Sequence, residues 1–178
     1  DTTWSRGLGD VYKRQVLSSG GASDGDEDHT QAAMRNNDVE PVFWRLSIKP
    51  GRPMAGGIRS GKPVMCVPGN PVAAFVCYRL AAAPVLDRMA GGIARPLLRP
   101  RVKCGFDHRK SAGRAEYLRV KVTTDAAGEP EMHLHGRKGA GVLSSLTGAD
   151  GLVEIPVENT GVAVGDYLPF IPFRESGL

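Results

Sequence analysis

The chain has 178 residues, 41% of them apolar and 24% charged, with a net charge of +4. That length suits one domain with a core or two small ones, and no apolar run approaches the ~20 residues of a membrane span. Lys and Arg are scattered, which argues against a nucleic-acid partner, and three widely spaced cysteines (Cys66, Cys77, Cys104) read as thiols of a reducing cytoplasm rather than a disulfide framework or zinc site.

Residues 1–15 show no hydrophobic period. The run from Gly7 to Gln15 resembles translated adapter read-through at the edge of an assembled fragment, so residues 1–15 are set aside as a non-native tail. The other reading is a genuine N-terminal arm. On the first reading the protein starts upstream and this chain is a C-terminal fragment.

Val16–Ser18 reads as the end of a strand. A Gly-rich acidic run follows from Ser19 to His29, whose glycines permit positive φ and close ligand approach. Asp24, Asp26, Glu27 and Asp28 either cap the next helix, expected over Glu27–Arg35, or hold a metal. Residues 42–49 alternate, with Trp44, Leu46 and Ile48 on one face and Phe43, Arg45, Ser47 and Lys49 on the other, which predicts a single strand. Arg45 and Lys49 make either a basic strand end or an ordinary wet face. A short strand is expected over Ala55–Ile58, with a turn at Arg59-Ser60-Gly61-Lys62.

The apolar run Val64–Val67 predicts a strand buried on both faces. Pro68-Gly69-Asn70-Pro71 then turns into a helix, with Asn70 as its cap and Pro71 in its first turn. That helix carries Val72, Phe75, Val76, Leu80 and Ala83 at helical spacing, is expected to kink at Pro84, and closes at Gly91-Gly92. A strand that turns sharply into a helix N-terminus offers free amides to an anion. If the strands are parallel, the two turns share one sheet edge, with the Lys49 turn beside them. Cations and amides suit phosphate there; carboxylates suit a divalent metal.

Composition shifts near Gly91–Pro96, dividing an α/β region (16–93) from a region (94–178) with no good helix. Strands are expected over Leu97–Cys104, Ala115–Thr123, Glu131–His135, Gly151–Ile155 and Tyr167–Ile171, giving a small all-β barrel or sandwich. The basic loops 111–114 and 136–141 either meet an anion or are plain hairpin tips. His133 and His135 alternate without an evident third metal ligand. Walker A, dinucleotide, Gly-x-Ser-x-Gly and Cys-x-x-Cys patterns are absent.

Four motifs, in order and at matching spacing, resemble the molybdopterin molybdotransferase family, the MoeA proteins and the C-terminal domain of gephyrin. They are Ser19–Asp28 (SGGASDGDED), Phe43–Pro53 (FWRLSIKPGRP), Val67–Val72 (VPGNPV) and Arg88–Gly91 (RMAG). The resemblance runs from Val16 to the end. It implies part of a molybdopterin-binding, MogA-like doubly wound α/β domain followed by the family's β domain. It also implies a cytoplasmic transferase of molybdenum cofactor biosynthesis that takes adenylylated molybdopterin and molybdate, releases AMP and leaves molybdenum on the dithiolene, assisted by magnesium. A homodimer and a molybdopterin adenylyltransferase partner are implied with it.

By the same resemblance, Asp28 is a catalytic and metal-binding acid and Lys49 a catalytic pocket lysine. Ser19, Gly20, Gly21, Ser23, Arg45, Arg52, Pro68, Gly69, Asn70, Pro71 and Arg114 are substrate-binding. Arg45 departs from the Lys of many members, Asp24 adds a charge to the Gly-rich loop, and Ala140 lacks a hydroxyl common at that place. The family's N-terminal domains, with further active-site acids, are missing, so the chain as given is expected to be inactive in insertion. The alternative is a non-catalytic molybdopterin-binding or scaffold module.

Overall fold

The computed structural model describes residues 14–21, 29–93, 96–136 and 141–174. These form two compact units: one takes the described residues up to Leu46 and from Gly51 to residue 93, the other takes Ser47–Pro50 and the described residues from Pro96 on. No helix among them is long and apolar enough to cross a membrane.

The first unit contains β1 (Val16–Ser19), α1 (Thr30–Asn36) and β2 (Glu40–Phe43). The chain then leaves for β3 (Ile48–Lys49) in the other unit and returns as β4 (Ala55–Arg59), β5 (Lys62–Val67), α2 (Pro71–Cys77), a π-helical turn (Tyr78–Ala82) and α3 (Ala83–Met89). Its sheet has the order β1-β5-β4-β2. β1 runs parallel to β5, from Val16↔Val64 to Ser19↔Val67, and β4 is antiparallel to both of its neighbours. The β4–β5 hairpin turns through Ser60 and Gly61, both at positive φ (49° and 75°), the geometry whose twist matches paired strands.

Asn70 occupies the predicted cap position with extended backbone (φ −68°, ψ 123°), but its side chain makes no capping hydrogen bond. The predicted interruption at Pro84 appears as the π-helical turn just before it: the Ala83 N–H reaches back five residues to the Tyr78 carbonyl. The wider turn accommodates a proline that cannot donate to Leu80. At the far end Gly91 adopts φ 87°, and the Gly92 N–H bonds the Asp87 carbonyl (2.9 Å), closing the helix as the two glycines predict.

The single strand expected over residues 42–49 is not formed. β2 ends at Phe43 after a register shift between Pro41 and Phe43, and the chain bends through Trp44–Ser47 before β3 joins a different sheet. Pro41 has no N–H to give to the ladder, so pairing with β4 is already interrupted there. The alternation misled because burial keeps its period through the bend: Trp44, Leu46 and Ile48 are half-buried while Arg45, Ser47 and Lys49 are exposed.

In the second unit β3 is joined by β6 (Arg101–Cys104), β7 (His108–Arg109), β8 (Ala115–Thr124), β9 (Pro130–Leu134), a one-turn helix α4 (Ser144–Thr147), β10 (Gly151–Ile155), β11 (Gly161–Val162) and β12 (Tyr167–Pro172). β8 is long enough to pair with β10 over Glu116–Val120 and with β9 over Val120–Thr124. β9 pairs with β6, β6 with β12, and β12 with β10, so five strands close into a ring. This is the barrel of the two expected alternatives. Val102, Cys104, Val120, Met132, Val153 and Ile155 fill it. Neither α4, in a region expected to hold no good helix, nor the β7–β11 pair is among the expected elements, since both are too short to show a period. The strand expected from Leu97 starts only at Arg101; Leu98 is exposed.

Candidate functional site

In the first unit, two turns meet at the carboxyl ends of parallel neighbours β1 and β5. The Gly20 N–H donates to the Val67 carbonyl (2.9 Å), and Ser19 Oγ donates to the Pro68 carbonyl (3.2 Å). The backbones come so close that a side-chain carbon at Gly69 would lie 3.4 Å from the Gly20 Cα. Gly20 and Gly21 hold φ values of 87° and 70°, a region that favours glycine. α1 anchors the first turn: Thr30 Oγ1 and Cys66 Sγ both donate to the Gly20 carbonyl (3.3 and 3.0 Å), and the Thr30 N–H bonds the Gly21 carbonyl (3.0 Å). Pro68 is buried, Gly69 and Asn70 are exposed, and Pro71 is half-buried. The expected meeting of Ser19, Gly20 and Gly21 with Pro68–Pro71 on one sheet edge is therefore present. An open groove of about 820 Å³ extends from Gly20 and Gly21 along α1, past Met34 to Arg59.

Asp28 and Ser23 lie outside the described residues. Among the described residues no group of three or more His, Cys, Asp or Glu side chains converges as a metal site. The acidic run Asp24–Asp28 carries hard carboxylate oxygens, the donor type that magnesium takes. Arg45 and Arg52 belong to the first unit and are exposed. The Arg52 carbonyl accepts the Leu46 and Met54 N–H groups (3.1 and 2.9 Å), closing the loop that leaves for β3 and returns.

Lys49 sits in the second unit, paired through β3 with β8 in the register Lys49↔Glu116. Its Nζ lies 2.9 Å from Glu116 Oε1, and His108 Nε2 lies 3.1 Å from Glu116 Oε2. Arg114 is exposed in the loop before β8. That loop is held by the Gly113 N–H on the Val157 carbonyl (3.0 Å) and by Lys110 Nζ on the Arg114 carbonyl (2.9 Å). His133 Nε2 lies 3.1 Å from Glu131 Oε2.

Glu116 is the residue that the sequence reading missed. It is only 4% exposed. Burial pushes its carboxyl up, but hydrogen bonds from Lys49 and His108, with their charges, outweigh that and hold it below its ordinary value of 4.5. A depressed carboxyl stabilises the fold above the unfolded-state value and loses that contribution as pH falls through the folded value. We expect thermal stability to exceed that of Glu116→Gln near neutrality, and the gap to close as the pH drops below 4.5. A gap that stays constant into acid would refute this. Two of the three thiols are held as thiols: burial pushes Cys77 up to about 12 and Cys104 up to about 11, so both stay protonated near neutral pH.

Comparison with known proteins agrees with both units. Residues 8–88 match a family described as "Probable molybdopterin binding domain", and residues 101–173 match "MoeA C-terminal region (domain IV)". Across both units the chain is similar to MoeA proteins. The molybdenum cofactor synthesis protein cinnamon of Drosophila melanogaster is 34% identical over 153 residues, covering 82% of this chain and 24% of the relative. A molybdopterin molybdenumtransferase of Haemophilus influenzae is 27% identical over 163 residues, covering 89% and 39%. The crystal structure of a molybdopterin biosynthesis MoeA protein from Pyrococcus horikoshii superposes with a TM-score of 0.71 at 26% identity, covering 98% of this chain and 42% of that one. The chain thus spans well under half the length of these relatives. The expected MogA-like domain followed by a small β domain is the MoeA arrangement found here. Glu116 had left a trace in the sequence: it shares strand parity with Leu118, Val120 and Val122, whose side chains pack in the barrel, so a carboxylate stood in an apolar row.

Proposed function

We propose that the chain binds adenylylated molybdopterin and forms part of a molybdenum-inserting transferase, in which molybdate enters, AMP leaves and molybdenum ends on the dithiolene. The observation that carries this reading is the pair of turns, Ser19–Gly21 and Pro68–Pro71, packed together at the carboxyl ends of two parallel strands. That place in an open α/β sheet receives ligands, and backbone amides at the turns and the start of α2 suit an anionic substrate. Lys49, Arg45, Arg52 and Arg114 are the cations proposed to meet oxyanions of the substrates, and Asp28 is the carboxylate proposed to hold magnesium. Magnesium, when bound, would neutralise charge on phosphate or molybdate oxygens. We propose in addition a cytoplasmic homodimer supplied by a molybdopterin adenylyltransferase, as the family resemblance implies.

The first test is saturable binding of adenylylated molybdopterin to the 178-residue chain, followed by molybdopterin fluorescence. Absence of saturable binding would sink the reading. Turnover is tested in a chimera, with this chain replacing the matching part of the Haemophilus influenzae relative. Binding without insertion in a folded chimera would favour the non-catalytic module. Gly69→Val gives a local check. Its β-branch would push into a contact already at 3.4 Å, and we expect affinity to fall about tenfold, the effect of losing one or two polar contacts to an anion. Unchanged affinity would place the ligand elsewhere.

A further inference from the structure

We propose that Glu116 is a positioning residue that holds the Lys49 ammonium in place for the anionic substrate. The inference rests on the reading of Lys49 as a substrate cation. Glu116 projects from β8 on the barrel-facing parity and is 4% exposed, so little water solvates its carboxylate. A buried carboxylate needs partners on both oxygens. It has them: Lys49 Nζ on Oε1 at 2.9 Å and His108 Nε2 on Oε2 at 3.1 Å. The backbone prepares the same pairing. β3 adds to β8 in parallel, with Lys49 directly beside Glu116, and the Ala115 N–H on the Ser47 carbonyl (2.9 Å) fixes the approach.

The two ends of the pair differ in exposure. The Glu116 side chain is 5% exposed, whereas that of Lys49 is 57% exposed. An ammonium has three donors, and the carboxylate takes one from below. The other two remain for a ligand, on a side chain that is tethered at its tip yet 57% exposed. A free lysine loses rotamer freedom when it meets an anion; one already tethered loses less. His108 contributes by occupying the second oxygen, which orients the carboxylate toward Lys49.

A purely structural ion pair would anchor β3 to β8 without affecting ligand binding. The parent chain, Glu116→Gln, Glu116→Asp, Lys49→Met and the Glu116→Gln/Lys49→Met double variant distinguish the two, once circular dichroism shows each to be folded. We expect Glu116→Gln and Lys49→Met each to weaken binding of adenylylated molybdopterin about tenfold, as for one hydrogen bond to a charged group. The double variant should be no weaker than Lys49→Met alone, and Glu116→Asp should recover part of the loss. In parallel, acetylation of Lys49 by an active ester, followed by peptide mass spectrometry, should speed up in Glu116→Gln. Losses that add in the double variant, or an acetylation rate that does not move, would overturn the inference. If Lys49→Met leaves affinity at the parent level, the substrate role of Lys49 fails first and the positioning role fails with it; if Lys49→Met weakens binding but Glu116→Gln does not, the positioning role alone fails.

Discussion

Asp28→Ala is expected to lower molybdenum insertion by about 10²- to 10³-fold in the chimera while leaving affinity for adenylylated molybdopterin within about twofold. The two effects separate because they draw on different groups. On the proposed reading, affinity for an anionic pterin would come from donors and cations: the turn amides, Lys49 and the arginines. A carboxylate adds nothing to that attraction and, alone, opposes it. Its proposed use is to hold a divalent cation, and a dication matters most where negative charge concentrates during the reaction. Chelating divalent metal from the parent should reproduce the phenotype, and excess magnesium should not rescue Asp28→Ala fully. Insertion is read as protein-bound molybdenum and released AMP. An equal loss of affinity would make Asp28 a binding or folding residue instead, and full activity would remove it from the chemistry.

Gly151→Ala is expected to destabilise the barrel by about 3 kcal/mol, the upper end of overpacking costs, and to lower its melting temperature by about 12–24 °C. Gly151 opens β10 at the point where that strand is gripped on both sides, opposite Val120 on β8 and Pro172 on β12. An added methyl would lie 2.4 Å from the Ile171 carbonyl oxygen and 2.4 Å from Phe170 Cε2. The ring of Phe170 can swing aside. The carbonyl cannot, because it belongs to the neighbouring strand of a closed ring, and moving it strains the pairings on either side. Calorimetry of the parent and the variant checks this; a midpoint within a couple of degrees of the parent would show that the ring yields more easily than its closure suggests.

Much of this fold was legible because its signals are local. Val64–Val67 followed by Pro-Gly-Asn-Pro gives a strand, a turn and a helix start within a dozen residues, and the double glycine after Met89 marks the helix end. The adjacency of the two turns was legible only conditionally, since it depends on β1 and β5 being parallel neighbours, a long-range fact that no short stretch encodes. The excursion of residues 47–50 was not legible. Side-chain alternation reports which face is wet, not which strand supplies the hydrogen bonds, and here the faces stay in phase while the partner changes from β4 to β8. Glu116 was passed over for a related reason. Its meaning comes from Lys49 and His108, residues 67 and 8 positions away, which only the folded chain brings together.

The excursion at residues 47–50 also bears on how this pair of domains can be inherited. The polypeptide passes between the units three times, after Leu46, after Pro50 and near residue 94, where a simple two-module protein would pass once. A recombination event or a protease acting near residue 94 therefore cuts one thread of three. A barrel taken from residue 95 onward would leave Ala115 and Glu116 on an unpaired edge and would lack its lysine. The two domains are distinct as cores yet share one strand, so a cut near residue 94 separates the barrel from the segment that carries Lys49.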